Sequence, residues 1–198
     1  MLKYCVRALM AALVIYVAGA VVVAQSASAL SERRDGGVDI GGRTLRCSNA
    51  RTKFDQRLPN LGLSIPDSRL LVLNPALLRR QPETVRVFVF HHECGHHQVG
   101  GSELGADCWA VNRGVMDGWL NKTGLTQVCR SFGNAPRTAT HPAGATRCAN
   151  LDRCFATASA TLARQKRLAV GTGAPAASSS PAPQLVSGPR LIRTGVLR

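Results

Sequence analysis

The chain has 198 residues, 25 Lys and Arg against 11 Asp and Glu, and a formal net charge of +14 at pH 7. That length suits one domain around one modest core. The positive balance fits attraction to an anionic envelope surface or acidic substrates. With only two Trp and two Tyr there is no stacking platform for bases, and nucleic acid is not an expected partner.

Lys3 and Arg7 precede an apolar run from Ala8 to Ala24, which closes on Ala27-Ser28-Ala29. This is the layout of a secretory signal peptide spanning 1–29, so the expected location is periplasmic or secreted. An uncleaved anchor is the rival reading, and the run is slightly short for a full span. Residues 30–37 are polar and Gly-rich and read as a loose leader. Val38 to Cys47 reads as two short strands about Gly41-Gly42. Arg51 to Asp67 carries Pro59, Gly62 and Pro66 and reads as irregular, whereas Arg69 to Leu73 is the best strand in the chain. Asn74-Pro75 is an N-cap with proline at the first helical position, opening a short helix to about Arg80.

Pro82 opens the next helix, expected over Glu83 to Gln98. Val and Phe enrichment in Thr84 to Phe90 favours a strand by propensity. Yet Val85, Phe88, Val89, His92 and His96 recur at helical spacing. The segment contains His92-Glu93-Cys94-Gly95-His96, an H-E-x-x-H pattern in a chain with five His. On a helix the two imidazoles stand one above the other and can share a zinc ion, with Glu93 beside them to act on a water. His91 and His97 point away from that face, toward solvent or a place behind the ligands.

Gly100-Gly101 ends this helix, and Ser102 can cap a second running to about Trp119. A tight antiparallel hairpin about residue 100 sets His96 level with Glu103 and His92 level with Asp107. Glu103 is then the third metal ligand, and Asp107 accepts the second ring N–H of His92 and fixes its tautomer.

Asn121 to Gly124 reads as a turn, Leu125 to Phe132 as a short helix, and Gly133 to His141 as a loop that could border the cleft. Ala143 to about Leu168 reads as a long helix. Trp109 and Trp119 are expected in the core. From Gly171 the chain is low-complexity, an expected disordered basic tail. The domain is therefore 30–170. Cys5 leaves with the signal, and Cys47, Cys94, Cys108, Cys129, Cys148 and Cys154 remain, an even count that suits three disulfides in an oxidising compartment. Cys148 and Cys154 face different ways on a helix and should take separate partners. Cys94 and Cys108 lie symmetrically about Gly101, and a bridge pinning the hairpin is the first expectation.

H-E-x-x-H followed by Glu103-Leu104-Gly105-Ala106-Asp107 resembles the gluzincin zinc metallopeptidases. The wording E-L-G-A-D-C-W-A is most similar to the branch of the CAAX prenyl protease and the HtpX-like proteases. Thr140-His141-Pro142, with Arg147 after it, is similar to that branch's downstream motif. The resemblance covers roughly residues 69–155. It implies a mostly helical, minimal zincin-like α+β domain with a few short strands. It also implies Zn2+ on His92, His96 and Glu103, Glu93 as catalytic base, His141 assisting the oxyanion, and a peptide or protein substrate. The loop between His96 and Glu103 is shorter than in larger members, and their membrane helices are absent. Metzincins are excluded, because Val99 and Ser102 stand where glycine and histidine are needed. A non-catalytic envelope protein that binds zinc is the alternative, separable by whether hydrolysis depends on Glu93.

Overall fold

A computed structural model describes residues 30–171 except Asn49. The expected signal segment 1–29, and the expected tail from 172 onward, lie outside the described residues. Within them the chain is α+β, with two three-stranded sheets followed by a run of helices.

The first sheet is antiparallel and joins β1 (Leu30–Glu32), β2 (Val38–Ile40) and β3 (Arg43–Leu45). Gly41 and Gly42 turn between β2 and β3 at φ 58° and 71°, the left-handed pair that a two-residue hairpin turn requires. The expected loose leader is instead partly a strand. Leu30 pairs with Ile40 and packs on the core, while Asp39 ties Ser31, Arg33 and Thr44 together across the sheet surface.

The second sheet has the order β4-β6-β5, from β4 (Arg51–Phe54), β5 (Gly62–Ile65) and β6 (Leu70–Leu73). The segment expected to be irregular thus supplies both outer strands, parallel (β4) and antiparallel (β5) to the apolar β6. β4 has no hydrophobic alternation of its own and β5 only the short Leu63-Ser64-Ile65; each forms because β6 offers a backbone edge. Pro66 opens a single 3-10 turn that reverses the chain from β5 into β6.

Buried Asn74 does two jobs. Its Oδ1 accepts from the Ala76 and Leu77 amides to cap α1 (Pro75–Leu78), and its Nδ2 donates to the Gln56 and Leu58 carbonyls, fastening the loop between β4 and β5. Then come α2 (Glu83–Val99), α3 (Glu103–Met116), α4 (Lys122–Phe132) and α5 (Gly144–Gly171). Helix α3 stops short of Trp119 because Gly118 turns the chain at φ 73° and the Leu120 amide returns to the Gly114 carbonyl.

Two apolar clusters flank α2. Val87, Phe90 and Cys94 pack with Ile40, Leu71, Leu73 and Leu78, whereas Val85 and Phe88 pack with Val111, Leu125, Val128 and Leu151. Burial on both sides explains why a helix carries strand-like Val and Phe, since here propensity yields to packing. Trp109 and Trp119 pack against these clusters, half-buried.

Three cysteine pairs form disulfides: Cys47–Cys94, Cys108–Cys154 and Cys129–Cys148, with Cα–Cα distances of 5.4, 5.3 and 5.2 Å. The expected Cys94–Cys108 bridge is therefore wrong. The hairpin helices meet where Gly95 abuts Ala106, which turns Cys94 toward the sheets and Cys108 toward α5. Cys148 and Cys154 do take separate partners. Among the described residues, no helix is long and apolar enough to cross a membrane.

Candidate metal centre

The hairpin places His92, His96 and Glu103 with one donor atom each within 4.8 Å of one another. His92 Nε2 lies 3.2 Å from His96 Nε2 and 3.2 Å from Glu103 Oε2, and Glu103 Oε1 lies 3.5 Å from His96 Nε2. Each ring is aimed by its other nitrogen. His92 Nδ1 is 2.9 Å from Asp107 Oδ1, and His96 Nδ1 is 3.0 Å from the Gly100 carbonyl. A carbonyl can only accept, so His96 carries its hydrogen on Nδ1. An ionised Asp107 imposes the same tautomer on His92. With both rings neutral, their lone pairs point at one spot, beside a buried Glu103 Oε2 that takes no well-directed hydrogen bond. Two acceptors and a carboxylate converging this way repel one another unless a proton or a metal cation joins them. The donor set therefore fits a metal ion.

The electrostatics show the same demand for positive charge at this spot, met by a proton on His92 when no metal is bound. Burial is the largest influence on His92 and disfavours its charged form. Contacts with Asp107 and Glu103, and the charge of Glu93, outweigh it and raise the ring to about 9. A metal ion at Nε2 would compete with that proton. Burial likewise pushes Glu103 and Asp107 up. His92 beside Glu103, and Arg147 with His92 beside Asp107, more than reverse this and hold both below the usual carboxylate range. Glu93 is different. Its burial wins over the nearby imidazoles and raises it.

Asp107 is 0% exposed, and Arg147 grips it with Nε to Oδ2 at 2.9 Å and Nη2 to Oδ1 at 2.6 Å. The guanidinium also lies 4.1 Å from the centroid of the Phe132 ring. Arg147 thereby stands behind Asp107, which stands behind His92. The sequence assigned Arg147 no such role. Forty residues separate it from Asp107, and only the similarity around His141-Pro142 pointed near it.

The donors open onto a cleft of about 970 Å³ lined by Gly62, Leu63, Phe88, Glu93, Phe132 and His141, among others. Strand β5 forms one wall, with its outer backbone edge unpaired within the sheet. A Cβ built on Gly62 would stand 2.7 Å from Glu93 Cγ, so glycine there makes room for the Glu93 side chain. No sequence signal marked that approach. His141, on the loop between α4 and α5, is half-exposed on the rim. Its Nε2 is 3.6 Å from Glu103 Oε2, and its Nδ1 is 2.8 Å from Thr140 Oγ1. The expected residues thus come together: His92, His96, Glu103 and Asp107 in the hairpin, with Glu93 and His141 beside them.

His91 departs from expectation. It is buried, stacked on Trp119 at a 5.1 Å centroid distance, and neither ring nitrogen has a partner. Burial, helped by Arg113 and Arg43, pushes its pKa down to about 4.

Comparison with known protein families, with characterised proteins and with solved structures finds no match for this chain.

Proposed function

We propose that this chain is an exported zinc metallopeptidase of gluzincin-like type, in which His92, His96 and Glu103 hold the ion and Glu93 is the catalytic base. The observation that carries the reading is the convergence of two imidazole Nε2 atoms on Glu103 at the floor of a cleft that Glu93 also lines. Two His and one acidic ligand are the donor set of hydrolytic zinc sites, which keep a further position open for water. Three disulfides suit an oxidising compartment, in keeping with the export signal at the start of the chain.

Zinc in such a site supplies Lewis-acid polarisation of a carbonyl and lowers the pKa of water. The chain's own residues do the rest. Glu93 takes the proton of the attacking water on its carboxylate and delivers it to the leaving nitrogen. Its raised pKa suits that exchange. His141 reaches over the rim to donate from Nε2 to the developing oxyanion, its other nitrogen steadied by Thr140. The outer edge of β5 offers backbone groups to an extended peptide, which would lie as an added strand with its scissile bond over Glu93.

The test is metal content and casein hydrolysis of the oxidised protein beside Glu93→Gln and Glu103→Ala. One zinc per chain is expected, with Glu93→Gln keeping the ion and losing roughly 10²–10⁴-fold in rate, and Glu103→Ala losing the ion. Hydrolysis unchanged in Glu93→Gln would overturn the catalytic reading.

A further inference from the structure

Each disulfide abuts one residue of the site in sequence. Cys94 follows Glu93, Cys108 follows Asp107, and Cys148 follows Arg147. The bridges are not equivalent. Cys47 and Cys94 are each 1% exposed, whereas Cys108, Cys129, Cys148 and Cys154 are half-buried. Both half-buried bridges hold α5, one to α3 and one to α4.

Helix α5 needs such holding. Its buried side chains are Asn150, Leu151 and Ala158, and Phe155 and Leu162 pack half-buried on the same cluster, all of them after Arg147. Beyond the bridges, Asn150 donates to the Leu104 carbonyl, and Arg147 pairs with Asp107. Ala145, Thr146 and Ala149 are exposed, so apolar packing does not anchor the first turns of α5, where Arg147 sits. The Cys129–Cys148 bridge closes the loop that carries His141 and fixes the residue next to Arg147. A guanidinium held at this point orients Asp107, and Asp107 in turn aims His92.

We propose that the Cys129–Cys148 bridge is a positioning element for the metal site. Its oxidation sets metal affinity by holding Arg147 against Asp107, so that the site reaches full affinity only after thiol oxidation. The proposal rests on the metal-site reading above. Bridge formation is thiol–disulfide exchange. The two thiols lose two protons and two electrons to an external disulfide oxidant, which leaves as two thiols. The half-buried position leaves this bridge open to exchange, while Cys47–Cys94 stays sealed in the core.

Zinc affinity, measured by chelator competition on the oxidised protein, tests this in a cycle of Cys129→Ala/Cys148→Ala, Arg147→Ala and the combination. Loss of a residue that orients a ligand costs about 10–100-fold in affinity. Arg147→Ala should fall in that range, the cysteine pair should weaken zinc in the same direction, and the combination should be no weaker than Arg147→Ala alone. Far-UV circular dichroism checks that each variant is folded. Should the cysteine pair unfold, the wild-type protein is reduced mildly under native conditions and alkylated. Folded species that have lost only Cys129–Cys148 then replace the variant. Equal zinc affinity with and without the bridge overturns the proposal and leaves the metal site standing. Losses that multiply in the combination overturn the route through Arg147. No zinc bound by the oxidised wild-type protein overturns the metal site itself, and the proposal with it.

Discussion

The two faces of α2 carry adjacent histidines with opposite fates. His91 turns to Trp119 with no polar partner and is pushed down to about 4, while His92 turns to Asp107 and Glu103 and is raised to about 9. Sequence distance between them is one residue. A helix rotates each successive side chain by about 100°, so neighbours face different elements. The lesson is that a histidine's chemistry belongs to what opposes it, and that one helix serves as both core and site because its faces are packed independently.

The largest effect that separates the faces should come from Phe90→Ala, on the sheet-facing side. Phe90 is 0% exposed, and truncation should cost about 3–5 kcal/mol in chemical denaturation. If the faces are independent, zinc affinity of the folded fraction should be nearly unchanged. On the cleft side, Gly62→Ala should push the Glu93 carboxylate aside while the ligands stay put. A misplacement of about 1 Å is worth roughly 10²-fold in rate. Casein hydrolysis should fall on that scale with zinc content retained, and a fall in zinc would show that the strand and the ligands are coupled.

Asp107→Asn should weaken zinc by about 10–100-fold, because an amide no longer imposes the Nδ1–H tautomer on His92 or neutralises Arg147. Chelator competition reads this directly. The smallest effect belongs to His91→Phe, a swap of similar shape that removes two buried, unpartnered nitrogens. It should change stability at pH 7 by less than about 1.5 kcal/mol. Its pH signature is sharper. His91 titrates near 4 in the fold against an ordinary 6.5, so on acidification the unfolded chain takes up this proton first. The stability given by the neutral ring is full above pH 6.5 and is lost as pH falls toward 4. His91→Phe should remove that part of the acid-side decline in Tm.

What could be read beforehand follows the range of the interactions. The H-E-x-x-H helix, the Ser102 cap, the Asn74-Pro75 start and the Gly41-Gly42 hairpin all rest on contacts within a few residues, and all are present. The approach of Glu103 and Asp107 to the two histidines was also legible, because a tight hairpin converts sequence offset into register. The missed strands β1, β4 and β5 have no strong pattern of their own and exist through their partners. The misassigned cysteine pair followed the hairpin's symmetry, which ignores the side to which each cysteine turns.

Local spacing was enough to define the candidate ligand set, since helical periodicity and a short turn bring His92, His96 and Glu103 together whatever surrounds them. Long-range packing set the rest: Arg147 stands behind Asp107, Gly62 leaves room for Glu93, His91 is buried, and the cysteines pair as they do. Those contacts join elements tens of residues apart. Their formation depends on how two apolar clusters pack around α2, and no local spacing encodes that.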